Sequence, residues 1–362
     1  MKVGIVGLPN AGKSSLFNAL TRAGAEAANY PFTTIEPNVA VVPVEDERLD
    51  AVATLVRASK VVPDTIAFHD IAGLVRGAHE GEGLGNRFLA NIRETDALVH
   101  VVRAHRATDV VHPEGEVDPV RDAEIVETEL VWADLEAAER RHERVVRTAR
   151  GGERAAKLEE AWLRELIDAL GAGKPARSVP PPAELGRVAL ADLLTAKPVL
   201  FVANVEEGED ENSSPPTPLA AHAAAQGAAI VAVSARLEAE LSELEPDDAA
   251  AMREDLGVAP VSSLQRVIRG AFGLLRLLAF FTAGEDKPAQ SWHIRAGSTA
   301  WDAAGAIHSD IQRGFVRAEV IGWEELVAAG GYAPARDRGE LRVEGRDYAM
   351  RDGDVLTVRF TP

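Results

Sequence analysis

Short apolar runs alternate with stretches of helical periodicity along most of the chain. Lys2 to Val6, Val39 to Val44, Thr65 to Ile71, Ala97 to Arg103, Val199 to Ala203 and Ala228 to Ser234 are runs of strand length, mostly apolar, as buried strands require. The first is followed by a Gly-rich turn and then by SSLFNALTRAG. There Leu16, Phe17 and Leu20 share one helical face, and Gly24 offers a stop. Strands separated by helical stretches predict a doubly wound α/β sheet.

Residues 104–198 are too many for an ordinary crossover. Much of that span is rich in Ala, Glu, Leu and Arg, with Ile125, Trp132, Leu135 and Val146 at helical spacing. Gly151 and Gly152 interrupt it, and Gly171 to Gly173 end it. The pattern predicts an inserted helical hairpin over 120–190, a short coiled coil, with SVPPPAE as a rigid exit. Such an arm either binds a partner or is simply a solvated insertion. Glu206 to Pro218, EEGEDENSSPPTP, reads as a mobile acidic loop. A Leu- and Arg-rich helix is predicted from Ser262 to Leu278. From Phe280 onward short alternating runs take over, with helical stretches at Thr299–Ile311 and Trp323–Ala329. The expected division is therefore an α/β domain over 1–278, carrying the insertion, and a small α+β domain over 279–362.

Composition narrows the class. No apolar run approaches the roughly 20 residues that span a bilayer, and the first residues lack a signal-peptide pattern. There is no cysteine, so disulfides and thiolate metal sites are excluded. A soluble cytoplasmic protein is expected. The net charge of −18 argues against coating nucleic acid through a basic surface, though not against a local basic patch.

Candidate chemistry begins at Gly7. GLPNAGKS fits G-x-x-x-x-G-K-[ST] between a strand and a helix. Asn10, Ala11, Gly12, Lys13, Ser14 and Ser15 are the expected phosphate cradle, since the glycines let backbone N–H groups wrap an anion at a helix N-terminus. Lys13 should reach the β- and γ-phosphates, and the Ser14 hydroxyl should ligate Mg²⁺. A second strand ends in Asp70-Ile71-Ala72-Gly73. Asp70 suits Mg²⁺, and the Gly73 N–H can approach the γ-phosphate. Gly77, Gly81, Gly83 and Gly85 follow in a segment able to move on hydrolysis. In NYPFTTIEPN, Thr34 is the expected third Mg²⁺ ligand, with Thr33 as the alternative.

The three motifs together resemble the Obg-related P-loop NTPases. NYPFTTIEPN and GAHEGEGLGNRFLANIRETDAL carry the resemblance, and the whole chain is similar to the YchF subfamily, the Obg-like ATPases. The resemblance implies an OBG-type nucleotide-binding (G) domain. It also implies a C-terminal TGS domain, a ubiquitin-like β-grasp, matched by FFTAGEDKPAQSWHIRAGSTAWDAAGAIHSDIQRGFVRAEVI and DYAMRDGDVLTVRF. Ribosome association, rRNA contact through the TGS domain and helical arm, and a regulatory role follow from the same resemblance. The chain is read as a monomer.

Two positions set the activity. Where many GTPases place a water-orienting Gln after D-x-x-G, this chain has Leu74, which cannot hydrogen-bond a water, so unassisted hydrolysis should be slow, on the order of 10⁻³ s⁻¹ or below. Asn10 is a candidate helper, because P-loop relatives with Asn there can bind K⁺; otherwise it braces the loop. The resemblance makes His112 a candidate for positioning the water, the alternative being an inert surface histidine. His69 and His100, within apolar strands, read as structural.

The base site is expected at Asn204, Val205 and Glu207, followed by Ser234 and Ala235, whose backbone N–H would line the base. Guanine selectivity rests on an Asp accepting from N1–H and N2–H₂, within Asn-Lys-x-Asp. Here Val205 replaces the Lys, and Glu207, one methylene longer, replaces the Asp. Guanine preference should weaken by orders of magnitude, since polar complementarity can supply up to about 10⁴–10⁵ of discrimination. The subfamily resemblance likewise implies ATP preferred over GTP. The alternatives are a true GTPase of the Obg class, or an RNA- or ribosome-binding adaptor with incidental hydrolysis.

Overall fold

The computed structural model describes residues 1–26, 38–71, 84–105, 112–206, 215–259 and 262–361. In chain order the elements begin β1 (Lys2–Val6), α1 (Lys13–Glu26), β2 (Val39–Pro43), α2 (Glu47–Val56), β3 (Lys60–Val62) and β4 (Thr65–Asp70). Then come α3 (Leu84–Arg93), β5 (Ala97–Arg103), α4 (Pro119–Arg150), α5 (Arg154–Gly171), β6 (Val199–Asn204), α6 (Thr217–Ala225) and β7 (Ala229–Val233). Helices α7 (Ala235–Leu241), α8 (Pro246–Leu256) and α9 (Ser263–Leu274) precede β8 (Leu277–Thr282) and β9 (Pro288–Arg295). The chain closes with α10 (Ala300–Ile307), α11 (Ser309–Arg313), β10 (Phe315–Gly322), α12 (Trp323–Ala329), α13 (Tyr332–Asp337), β11 (Arg342–Glu344) and β12 (Asp354–Phe360).

One compact unit comprises Met1–Val42 and Ala67–Leu274. Its sheet has the order β2-β4-β1-β5-β6-β7, and every pairing from β4 through to β7 is parallel. All seven residues of β5 are buried, as expected for a central strand covered on both faces. Parallel strands put their C-terminal ends on one edge, where such sheets bind ligands. The C-terminal ends of β1, β4, β6 and β7 lie on that edge and bring the P-loop, Asp70, Asn204 and Ser234 to one side, although they lie far apart in sequence.

The helical hairpin is present as α4 and α5, joined at Gly151 and Gly152. Its first turns are not an insertion, however. Val126, Leu130 and Ala133 pack with Val6, Leu98 and Ile92 in the core beneath the sheet, so the start of α4 belongs to a covering layer. Farther along, Val131 and Ala138 meet Trp162, Leu163, Leu166 and Leu170. Trp132, which the spacing placed on the apolar face, is 49% exposed. The Asp134 carboxylate accepts from the Leu194 N–H (2.7 Å), the Thr195 N–H (2.8 Å) and the Thr195 hydroxyl (2.6 Å), tying the helix to the segment that re-enters the sheet.

The second unit comprises Pro43–Ile66 and Leu275–Pro362, a different partition from a cut at 278/279. The reason is packing. Leu49, Val52, Ala53 and Val56 of α2 share a core with Phe281, Ile321, Leu326 and Val355. Strand β3 pairs in parallel with β9 and completes the sheet β11-β10-β12-β8-β9-β3. Arg48 holds Asp352 at 2.5 Å, and Asp64 meets His293 at 2.7 Å. The single helix expected over 299–311 is two. His308 is extended (φ −167°, ψ 143°), and its Nδ1 accepts the Asp310 N–H to start α11.

Candidate functional site

The loop between β1 and α1 is shaped by three backbone positions at positive φ: Gly7 (153°), Asn10 (62°) and Gly12 (99°). A Cβ at Gly7 would lie 2.3 Å from the Val101 carbonyl oxygen, and one at Gly12 would lie 2.2 Å from Asn204 Nδ2. Both positions therefore demand glycine twice over, by conformation and by space. Lys13 opens α1 and is only 7% exposed. Its Nζ donates to the Leu8 carbonyl at 2.7 Å, so the ammonium lies back along the loop. Burial lowers the Lys13 pKa to about 8, against an opposing pull from Asp70. Ser14 is exposed, Ser15 half-buried and Ala11 buried, and the Asn10 side chain is exposed on the loop.

Asp70 ends β4 and is half-buried. Burial pushes its carboxyl up from the ordinary value, and Lys13 partly counters this. Among the described residues its carboxylate has no hydrogen-bond partner. The half-desolvated Asp70 carboxylate and the exposed Ser14 hydroxyl are hard oxygen donors of the kind that suits Mg²⁺. Among the described residues no group of three or more His, Asp or Glu gathers at one point.

Asn204, at the end of β6, is buried at 5%. Its Nδ2 donates to the Ala11 carbonyl at 3.0 Å, and its Oδ1 accepts the Ala235 N–H at 3.1 Å. The side chain thus clamps the P-loop to the start of α7. Sequence reasoning assigned Asn204 to the base and missed this brace. The N–H of Ala235, expected to line the base, is here engaged by Asn204. Ser234 caps α7, its hydroxyl accepting the Leu237 N–H at 3.4 Å. Val205 departs from expectation. It is 5% exposed and packs with Phe201, Leu219 and Ala223 under α6, so its side chain belongs to the core and not to a base-facing surface.

His112 is a buried residue at the entry to α4, not a surface histidine. Its Nε2 lies 2.7 Å from Asp122 Oδ2, and its Nδ1 accepts the Glu114 N–H at 3.1 Å. The second bond places the proton on Nε2, which donates to Asp122. Both ring nitrogens are therefore engaged, and neither offers a hydrogen bond to a water. Asp122 was not singled out from the sequence. Its signal was the Asp118-Pro119 helix start, which sets a buried first turn ten residues after the histidine. Thr34 with its alternative Thr33, Gly73, Leu74, Glu207, the glycines from Gly77 to Gly83 and most of the acidic loop lie outside the described residues.

Comparison with known proteins agrees with this geometry. A family model described as a 50S ribosome-binding GTPase matches residues 2–130. The C-terminal model of YchF GTPases, described as a protein of unknown function, matches residues 277–361. The chain is 47% identical over 360 residues to the ribosome-binding ATPase YchF of Haemophilus influenzae, covering 99% of each chain. It is 45% identical over 364 residues to the protein of the same name from Bacillus subtilis, again covering 99% of each. The structure of the Schizosaccharomyces pombe YchF GTPase superposes with a TM-score of 0.87 at 34% identity, covering 99% of this chain and 97% of that one.

Proposed function

The chain belongs to the YchF family, and from that premise we propose that it is a Mg²⁺-dependent P-loop ATPase, accepting GTP less well, that works as a ribosome-associated regulatory switch. The observation that carries this reading is the pairing of a glycine-turned loop holding a buried Lys13 with Asp70 on the neighbouring parallel strand. End-to-end similarity to relatives named ribosome-binding ATPases supports the rest.

In this reading the cradle residues Asn10 to Ser15 bind triphosphate through their N–H groups. Lys13 exchanges the Leu8 carbonyl for phosphate oxygens. Ser14, Asp70 and Thr34 would hold Mg²⁺, which supplies charge neutralisation on the β- and γ-phosphate oxygens when bound. The Gly73 N–H would meet the γ-phosphate. Leu74 supplies no group to orient water, and His112 becomes available only when it gives up Glu114 or Asp122. Slow unassisted hydrolysis, on the order of 10⁻³ s⁻¹ or less, follows from both facts. K⁺ beside Asn10 would add charge at the same phosphates.

Clamped by Ala11 and Ala235, Asn204 keeps one lone pair of Oδ1 for the N6 amine of adenine. Glu207, one methylene longer, would need backbone movement to place a carboxylate where the Asp of a guanine site would stand. The second unit is read as a TGS domain, and with the α4–α5 hairpin it is the proposed contact to the ribosome and its RNA. No helix among the described residues is long and apolar enough to cross a membrane; the cytoplasmic place of action in this reading rests on the relatives named ribosome-binding ATPases. A true GTPase is the second reading, favoured by the GTPase wording of the family model and of the fission-yeast structure. Single-turnover ATP hydrolysis with and without ribosomes tests the switch. Stimulation of about tenfold or more is expected, and unchanged rates with nucleotide-independent ribosome binding would leave only the adaptor.

A further inference from the structure

A cavity of about 60 Å³ lies within the first unit, between β1, β5 and α4. Its floor is apolar: Val6, Leu98, Leu130, Val131, Leu194 and Val199. Besides Thr195, four polar side chains join them: His100, Glu127, Arg177 and Gln226. Buried polar groups are ordinarily hydrogen-bonded, so what each of these touches decides what the space is for.

Two of the four are satisfied. Glu127 takes His222 Nε2 at 3.0 Å and Gln226 Nε2 at 2.8 Å. Gln226 in turn presents its Oε1 to Arg177. The Thr195 hydroxyl, also on the wall, is spent between Asp134 and the Ala176 N–H. The other two keep hydrogen-bonding capacity in reserve. The His100 ring is 3% exposed, leans on Phe201 with centroids 5.2 Å apart, and has no hydrogen bond among the described residues. Burial first, and then His222 and Lys13, depress its pKa to about 3, so it is a neutral imidazole with one donor and one acceptor facing the space. Arg177 donates to the Thr195 carbonyl and to Gln226, and no carboxylate lies within salt-bridge distance of it among the described residues. A guanidinium has five N–H groups, so several remain.

A guanidinium with no direct carboxylate partner and an imidazole without a hydrogen bond, above an apolar floor, call for a ligand with an acidic head and a short apolar tail. We propose that this cavity is a binding site for a short-chain monocarboxylate, its carboxylate on Arg177 and His100 and its alkyl end against Leu98, Leu130 and Leu194. Glu127 selects against a dianion such as phosphate, because it already offsets part of the Arg177 charge. Size sets the tail: at roughly 10–15 Å³ for each water-sized probe, the space admits roughly four to six heavy atoms. Val6, which lines the cavity, is paired with His100 across the sheet and immediately precedes Gly7, so an occupant would brace the root of the P-loop.

The test is a titration of the full chain with sodium propionate, read by calorimetry and thermal shift against sodium chloride at equal ionic strength. Saturable binding is expected for propionate, with weaker binding for hexanoate, which is too long, and for propionamide, which has no charge. Arg177→Met and His100→Phe should each weaken propionate by roughly tenfold or more while ATP binding stays intact. The proposal fails if wild type gives no saturable signal beyond chloride up to about 50 mM. It also fails if propionamide matches propionate, or if a folded Arg177→Met binds propionate as well as wild type. Should either variant not fold, the charge and length series on the wild type decides alone.

Discussion

Lys13 rests on the Leu8 carbonyl in a buried setting that lowers its pKa to about 8, and this fixes a pH dependence. Phosphate binding needs the ammonium. Below pH 8 the free protein already carries it, so affinity should be flat there. Above pH 8 the free protein loses the proton while the phosphate-bound form retains it, so affinity should fall, approaching tenfold for each pH unit. Nucleotide titrations from pH 7 to about pH 9.5 check this, and a flat profile would refute it. Val205 carries the second residue-scale expectation. In a guanine-specific motif its place belongs to a lysine, but here the side chain is buried among Phe201, Leu219 and Ala223. Val205→Lys should therefore cost about 2–4 kcal/mol of stability through an unpaired buried charge and leave GTP affinity where it was. Urea unfolding beside GTP titration measures both; undiminished stability with tighter GTP would mean that the side chain faces the base.

At the scale of elements, the loop geometry was legible because G-x-x-x-x-G-K-S encodes it directly. Gly7 and Gly12 occupy positive-φ positions against Val101 and Asn204 that no other residue fits. What the motif could not announce was the clamp from β6. Asn204 lies nearly 200 positions from Ala11, and only the parallel pairing of β1, β5 and β6 brings them together. Asn204→Ala removes two buried hydrogen bonds and leaves the Ala235 N–H without its acceptor. The expected cost is about 2–4 kcal/mol by urea denaturation, with nucleotide affinity down by about tenfold or more. A loss below about 0.5 kcal/mol would mean that water replaces the side chain without penalty. The buried state of His112 was hidden for the same reason. A histidine in a polar loop gives no sign that a helix starting at Pro119 will present Asp122 to it.

At the scale of the whole molecule, the doubly wound sheet was readable from its apolar runs, and the unit boundaries were not. Periodicity shows that Leu49, Val52 and Val56 lie on one face of α2, but not which core that face will join. It joins the core of β8 and β12, so the C-terminal unit borrows an early helix and strand. The parallel sheet then gathers the residues proposed for phosphate, metal and base along one edge. The relatives are named both ATPase and GTPase, so the central claim is the preference for adenine. Competitive displacement of one fluorescent nucleotide by ATP and by GTP, at fixed Mg²⁺ and pH, tests it most directly. ATP is expected to bind tighter by roughly tenfold or more, and GTP binding tighter by the same factor would overturn the adenine preference.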